Sequence, residues 1–152
     1  MAGVGFSVNS GECTLVAATA KTLLQVKAAT NQRVLIRGLK ILGKQAAGGT
    51  DPVVKVRMTR STANFGTGST ATPSKSNPSN GETLQTSCAA NFTVEPTSPT
   101  DTGQWWEVQP QSGVIEFLPP GMEIQVPGGQ SVQFEALSTG TPTLLVTAIV
   151  EE

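Results

Sequence analysis

The sequence predicts an all-β fold, an antiparallel β-sandwich in a single domain, and three observations predict it. Short segments alternate apolar and polar residues with period two, the pattern of strands that wet one face. Sixteen Gly and ten Pro residues punctuate them, in the company of many Ser and Thr residues, which is turn chemistry. No stretch sustains the 3.6-residue period of a helix. At 152 residues the chain is close to the commonest size for one domain and long enough to bury a proper core.

The segments follow in order. Residues 1–20 read as an N-terminal arm or a first strand, because Val4, Phe6 and Val8 alternate with small residues. Such a strand forms only by pairing, and an unpaired apolar strand invites aggregation, so the expectation is an arm ordered by a neighbouring subunit or surface, with Phe6 as its anchor. A strand is plausible over Glu12 to Ala18. From Thr22 to Ala28, Leu24, Val26 and Ala28 share one face and Gln25 and Lys27 the other. From Arg33 to Leu42 the apolar set changes from Val34 and Ile36 to Leu39 and Ile41, with Gly38 at the slip, as a bulge would produce. Val54, Val56 and Met58 alternate with Lys55, Arg57 and Thr59.

Two connections then exceed ordinary loop length. Residues 61–81 are small and polar apart from Phe65, so the tract is either a loose surface loop or one that Phe65 anchors to a neighbour. Residues 89–102 carry Pro96 and Pro99 and read as an extended arm. Strands are expected at Glu82 to Ser87, Gln104 to Gln109, Val114 to Leu118, Met122 to Val126, Val132 to Ala136, and Leu144 to Val150, the last apolar on both faces as a central strand is. The Ala-rich pieces Ala17–Ala20 and Gln45–Ala47 are allowed a helical turn at most. Among sandwiches and barrels, long-range pairing of this many strands selects a jelly-roll-like arrangement.

Charge is segregated by sequence half. All ten Lys and Arg residues lie between Lys21 and Lys75, while nine of the eleven acidic residues lie beyond Lys75. Either strands from the two halves interleave and neutralise one another across the sheets, or the positive surface of one subunit meets the negative surface of another. In the second case Arg33, Arg37, Lys55 and Arg57 are the expected contacts with an acidic partner surface, and binding would weaken with salt.

The chain has no His, which excludes imidazole bases and the nucleophilic triads built on them. No catalytic residue is assigned. The carboxylate pairs Glu107 with Glu116 and Glu123 with Glu135 are expected on solvated faces where nothing raises a pKa. Cys13 and Cys88 are too few for a zinc site and read as buried free thiols; no metal and no cofactor is implied. The Gly-Lys and Gly-x-Gly pieces lack the strand-loop-helix setting of a phosphate cradle. The basic cluster has no interleaved aromatics, so nucleic acid is not an expected partner, and no apolar run is long enough to span a membrane. The start shows no secretory pattern, and synthesis in the cytoplasm is expected. Trp105-Trp106 is the remaining signal. Adjacent strand residues point to opposite faces, so Trp106 joins Val108 in the core, and Trp105 is either an exposed interface anchor or sugar-stacking platform, or buried under the domain's own loops.

The segments 22–29 and 33–39, followed much later by Trp105-Trp106-Glu107-Val108-Gln109-Pro110 and by Phe117-Leu118-Pro119-Pro120-Gly121-Met122-Glu123-Ile124 through Gly129, resemble the small jelly-roll decoration, or cement, proteins of tailed-phage capsids. The resemblance covers most of the chain from Thr22 and leaves residues 1–20 unmatched. It implies a homotrimer on the capsid exterior of a virion, a non-enzymatic structural protein that stabilises the shell by bridging major capsid proteins. The alternative is a carbohydrate- or receptor-binding β-sandwich module, for example on a phage tail. The expected interaction residues are Phe6, Arg33, Arg37, Lys55, Arg57, Phe65 and Trp105.

Overall fold

A computed structural model describes residues 3–44, 52–97 and 99–152. The described elements are all strands: β1 (Gly5–Asn9), β2 (Cys13–Thr14), β3 (Lys21–Lys27), β4 (Val34–Lys44), β5 (Val54–Ser61), β6 (Thr67–Thr70), β7 (Ser74–Lys75), β8 (Ser87–Val94), β9 (Thr100–Val108), β10 (Val114–Phe117), β11 (Ile124–Val126), β12 (Ser131–Leu137) and β13 (Thr143–Glu151). Two antiparallel sheets form a sandwich. Sheet A has the order β10-β4-β13-β1-β7, with β11 continuing beside β4 and β2 beside β13; sheet B has the order β6-β8-β3-β12-β5-β9.

The pairing is nested from the outside in. The first strand pairs with the last, β1 with β13, and β3 pairs with β12, β4 with β10, and β5 with β9. A long hairpin folded in two and rolled up gives this order, which makes the sandwich a jelly roll. The same nesting explains the charge halves, since each of these pairs joins a strand of the basic half to one of the acidic half. Interleaving is therefore the arrangement that the charge pattern reflects. Arg37 on β4 bridges Glu151 on β13 at 2.5 Å, and Arg57 on β5 bridges Glu135 on β12 at 2.5 Å.

The alternating residues meet between the sheets. Leu24, Val26, Val56 and Phe134 face Ile36, Ile41, Val146 and Val150 from the opposite layer, all essentially without solvent contact. At the slip in β4, Gly38 pairs with Ile149 and Ile36 with Val150, leaving Arg37 as the extra residue of a bulge. Leu118 N–H donates to the Arg37 carbonyl at 2.8 Å, so the Pro119–Glu123 excursion between β10 and β11 leaves the sheet opposite that bulge. β13 is central to sheet A, yet only its inward set is buried; Leu145, Thr147 and Ile149 on the other face are half-buried.

Five expectations about strand placement are corrected. The N-terminal segment is no arm: β1 lies inside sheet A between β13 and β7, and Phe6 is 0% exposed in the core. Residues 61–81 do not form one loop, because β6 and β7 add to sheets B and A respectively. Residues 89–102 are largely strand, since β8 runs to Val94 and β9 begins at Thr100; only residues 95–99 connect them. The expected strand at Glu82 to Ser87 is irregular until Ser87, and the one at Glu12 to Ala18 reduces to β2. Ala17 and Ala18 lie in a turn, and Gln45–Ala47 lie outside the described residues. The 62–99 insertion thus supplies β6, β7 and β8, which extend both sheets on the side of β1 and β3.

Candidate interaction surfaces

The outward side of sheet B is polar yet partly dry. Gln25, Thr59, Ser131 and Gln133 stand away from the core and are nonetheless buried, a state that demands hydrogen bonds. Thr59 Oγ1 donates to Gln133 Oε1 at 3.2 Å, Gln133 Nε2 donates to Ser131 Oγ at 2.9 Å, and Gln25 Nε2 donates to the Phe65 carbonyl at 2.9 Å. The segment that follows β5 provides the cover. Lys27 Nζ sits 3.9 Å from the centre of the Phe65 ring, and Gly66, at φ +74°, packs so closely that a Cβ there would lie 2.5 Å from the Val94 carbonyl oxygen. Phe65 therefore anchors its tract to the protein's own sheet.

The four basic residues expected to contact an acidic partner surface, Arg33, Arg37, Lys55 and Arg57, do not share one face. Arg37 belongs to sheet A and Lys55 and Arg57 to sheet B, while Arg33 precedes β4 outside either sheet, because alternation tells which side of a strand a residue takes but not which sheet the strand joins. Two are also committed within the chain. Arg37 holds Glu151, and Arg57 lies among Glu135, Asp101 at 3.6 Å, and the Trp105 ring at 5.7 Å. Arg33 lines an open cleft of about 720 Å³ with Glu82, Glu151 and Glu152. Glu152 is occupied there, accepting from the Gln85 and Thr86 N–H groups at 2.9 Å each.

Trp106 and Trp105 separate as strand geometry requires. Trp106 packs against Phe134 with ring centroids 6.1 Å apart and donates from Nε1 to Glu116 Oε2 at 2.6 Å. Trp105 is 47% exposed on the outer side of sheet B. Three of the four carboxylates that might have paired are engaged elsewhere: Glu116 with Trp106, Glu135 with Arg57, and Glu123 with the Gly121 N–H at 2.7 Å. The N–H groups of Glu123 itself and of Gly121 hold the Glu123 carboxyl below its ordinary pKa, with help from Arg37. Cys13 and Cys88 are free and buried. Burial pushes the Cys88 thiol up to about 12, and the Glu152 charge adds to it; burial likewise raises Cys13. No cluster of three or more metal-ligating residues occurs among the described residues.

The most exposed large apolar residues include Met122, which the alternation over Met122–Val126 assigns to the inward face but which lies in the turn ahead of β11. Ile115 is 60% exposed, Phe117 69% and Met122 69%. β10 reverses the usual alternation, turning Glu116 in toward Trp106 and Ile115 and Phe117 out. The outward pair sits beside Lys40 and Gly38 of β4, with Phe117 Cδ1 lying 3.0 Å from where a Gly38 Cβ would be. Half-buried Ile149 and Leu145 of β13 continue this face, and Leu42, cross-strand from Leu145, adds to it at 37% exposed. The signal was present in Val114-Ile115-Glu116-Phe117-Leu118, which is apolar at both strand parities. Compared with known proteins, the chain matches no family model, no curated protein and no solved structure.

Proposed function

We propose that this chain is a non-enzymatic structural protein of a phage virion, which decorates the capsid exterior as a homotrimer and stabilises the shell by bridging major capsid proteins. The observation that carries the reading is the outward face of sheet A, where Ile115 and Phe117 of β10 are more than half exposed beside Leu42, Leu145 and Ile149. Scattered surface apolar residues are ordinary, whereas a contiguous set of this kind marks a contact surface. The jelly-roll scaffold and the likeness of the strand-and-turn segments to capsid decoration proteins give that surface its context. Synthesis in the host cytoplasm precedes attachment. Because the basic residues are split between faces and partly paired in-chain, apolar burial dominates the attachment, and particles keep the protein as salt rises toward 1 M, where the Debye length falls to about 3 Å.

Rebinding to particles stripped of the protein tests this. Phe117→Asp and Ile115→Asp should remain folded and lose retention on the shell, while Val16→Asp, at an exposed apolar position on the turn before β3, should bind as the parent does. Equal binding of all three would refute the reading.

Trp105 favours a second reading, a carbohydrate- or receptor-binding module, since an exposed indole presents a stacking face for a sugar. Binding of the protein to a glycan array, lost in Trp105→Ala and kept in Phe117→Asp, would establish that reading instead.

A further inference from the structure

Two exposed aromatic side chains stand on opposite flanks of one edge of the sandwich. β9 and β10 are the terminal strands of sheets B and A. They are joined by a tight turn in which Ser112 and Gly113 donate to the Gln109 carbonyl, and the Trp106–Glu116 hydrogen bond ties them across the mouth. Trp105 faces outward from sheet B on one flank, and Phe117 and Ile115 face outward from sheet A on the other. Among the described residues the other strands with a single partner on an edge, β2, β6, β7 and β11, are two to four residues long, and short edge strands resist unwanted pairing. β9 is nine residues long and contains neither Lys nor Pro, the residues that usually blunt an edge.

We infer that this edge is the inner wedge of the trimer: the Phe117 and Ile115 flank of one copy docks against the Trp105 and Glu107 flank of the next, head to tail around a three-fold axis. The inference rests on the homotrimer reading above and assigns the Ile115 and Phe117 face to the contact between subunits, so that the loss of retention expected for Phe117→Asp and Ile115→Asp follows from loss of the trimer. A closed heterologous ring needs two different, complementary patches on every subunit. Patches on opposite flanks of a single edge meet their counterparts when three such edges converge on an axis.

Charge agrees with this arrangement. On the sheet A flank, Lys40 is the cross-strand neighbour of Ile115, and the nearby carboxylates are spent: Glu116 on Trp106, Glu151 on Arg37, Glu123 on its own turn. The sheet B flank presents Glu107, cross-strand from Lys55, while Asp101 accepts from the Gly103 N–H at 2.8 Å and pairs with Arg57 at 3.6 Å. An opposite charge thus awaits Lys40. Two-fold pairing of β9 with itself about Gln104 would instead set Asp101 against Glu107, and like charges directly opposite destabilise a strand pair.

Cross-linking of the full chain tests the assignment. Ile115→Cys and Glu107→Cys lie on the two flanks and leave Phe117, Trp105 and Lys40 in place, and the native thiols are buried and protonated. A flexible bis-maleimide should convert the double variant into covalent trimers and leave each single variant monomeric on a denaturing gel. Cross-linked dimers from either single variant would overturn the head-to-tail pairing. So would an unlinked double variant that still sediments as a trimer, and in that case the homotrimer reading survives. A parent protein that sediments as a monomer at all concentrations would remove the homotrimer reading and this inference together.

Discussion

Arg57 and Glu135 lie directly opposite each other on β5 and β12, and the guanidinium reaches one carboxylate oxygen with two nitrogens, at 2.8 Å and 2.5 Å. The two residues are 78 positions apart in sequence, one in the basic half and one in the acidic half. A jelly roll pairs strands from the outside in, so a chain whose halves carry opposite charge places unlike charges across its strand pairs. Arg37 with Glu151 and Arg57 with Asp101 repeat the relationship. The segregation serves the fold first, because a register slip on either sheet would separate these pairs.

The pairs should differ in strength with burial. Glu135 is only 11% exposed at its side chain, whereas Arg37 and Glu151 are 45% and 26% exposed. Glu135→Ala should cost about 2–3 kcal/mol, because it strands a partly buried guanidinium. Arg37→Ala should cost less than about 1 kcal/mol, as solvent-screened pairs do. Urea unfolding of the two variants measures the difference, and equal losses would contradict this account of the charge pattern.

Phe6 fills the core between the sheets, so Phe6→Ala should destabilise the isolated protein by about 3–5 kcal/mol. Removing residues 1–10 should unfold it, since β13 and β7 then lose the strand between them. A thermal melt decides: a truncated protein that melts as the parent does would return this segment to the role of a separate arm.

Cys88 links stability to alkaline pH. Its folded thiol is raised to about 12 from an ordinary 9.0, so the folded state holds the proton more tightly than the unfolded one. The stabilisation is complete below pH 9 and declines as pH rises from 9 toward 12, by about 1.4 kcal/mol per pH unit. Unfolding measured from pH 8 to 11 should therefore fall more steeply for the parent than for Cys88→Ala. Parallel curves would contradict a buried, protonated thiol.

Gly66 pins the tract that covers sheet B. Gly66→Ala must place a side chain at φ +74° against the Val94 carbonyl, at a cost of at least about 1–2 kcal/mol. The segment carrying Phe65 should then lift, exposing Gln25 and admitting protease between Ser61 and Thr70. Unchanged resistance to proteolysis would show that the cover is held by other contacts.

Strand positions were legible where one face is wet, as in Leu24-Gln25-Val26-Lys27, because period two leaves a direct trace; the same pattern misplaced Met122, which lies 69% exposed in the turn ahead of β11. The Gly38 bulge was legible for the same reason, as a change in that period. Residues 61–81 were not, since β6 and β7 are short edge strands made of small polar residues and carry no apolar alternation. Phe6 was misassigned because nothing in a local pattern shows that the last strand of the chain is its partner. The exposed apolar face was missed at β10, where an inward carboxylate satisfied by Trp106 inverts the expected order. Trp105 was placed correctly on the outside because Glu107 shares its side of the strand.

Quantitative mass spectrometry of the purified source particle tests the central claim most directly. A capsid decoration protein should be present at a copy number of the same order as the major capsid protein. A handful of copies per particle, as for a tail component, or absence from the particle altogether would contradict it.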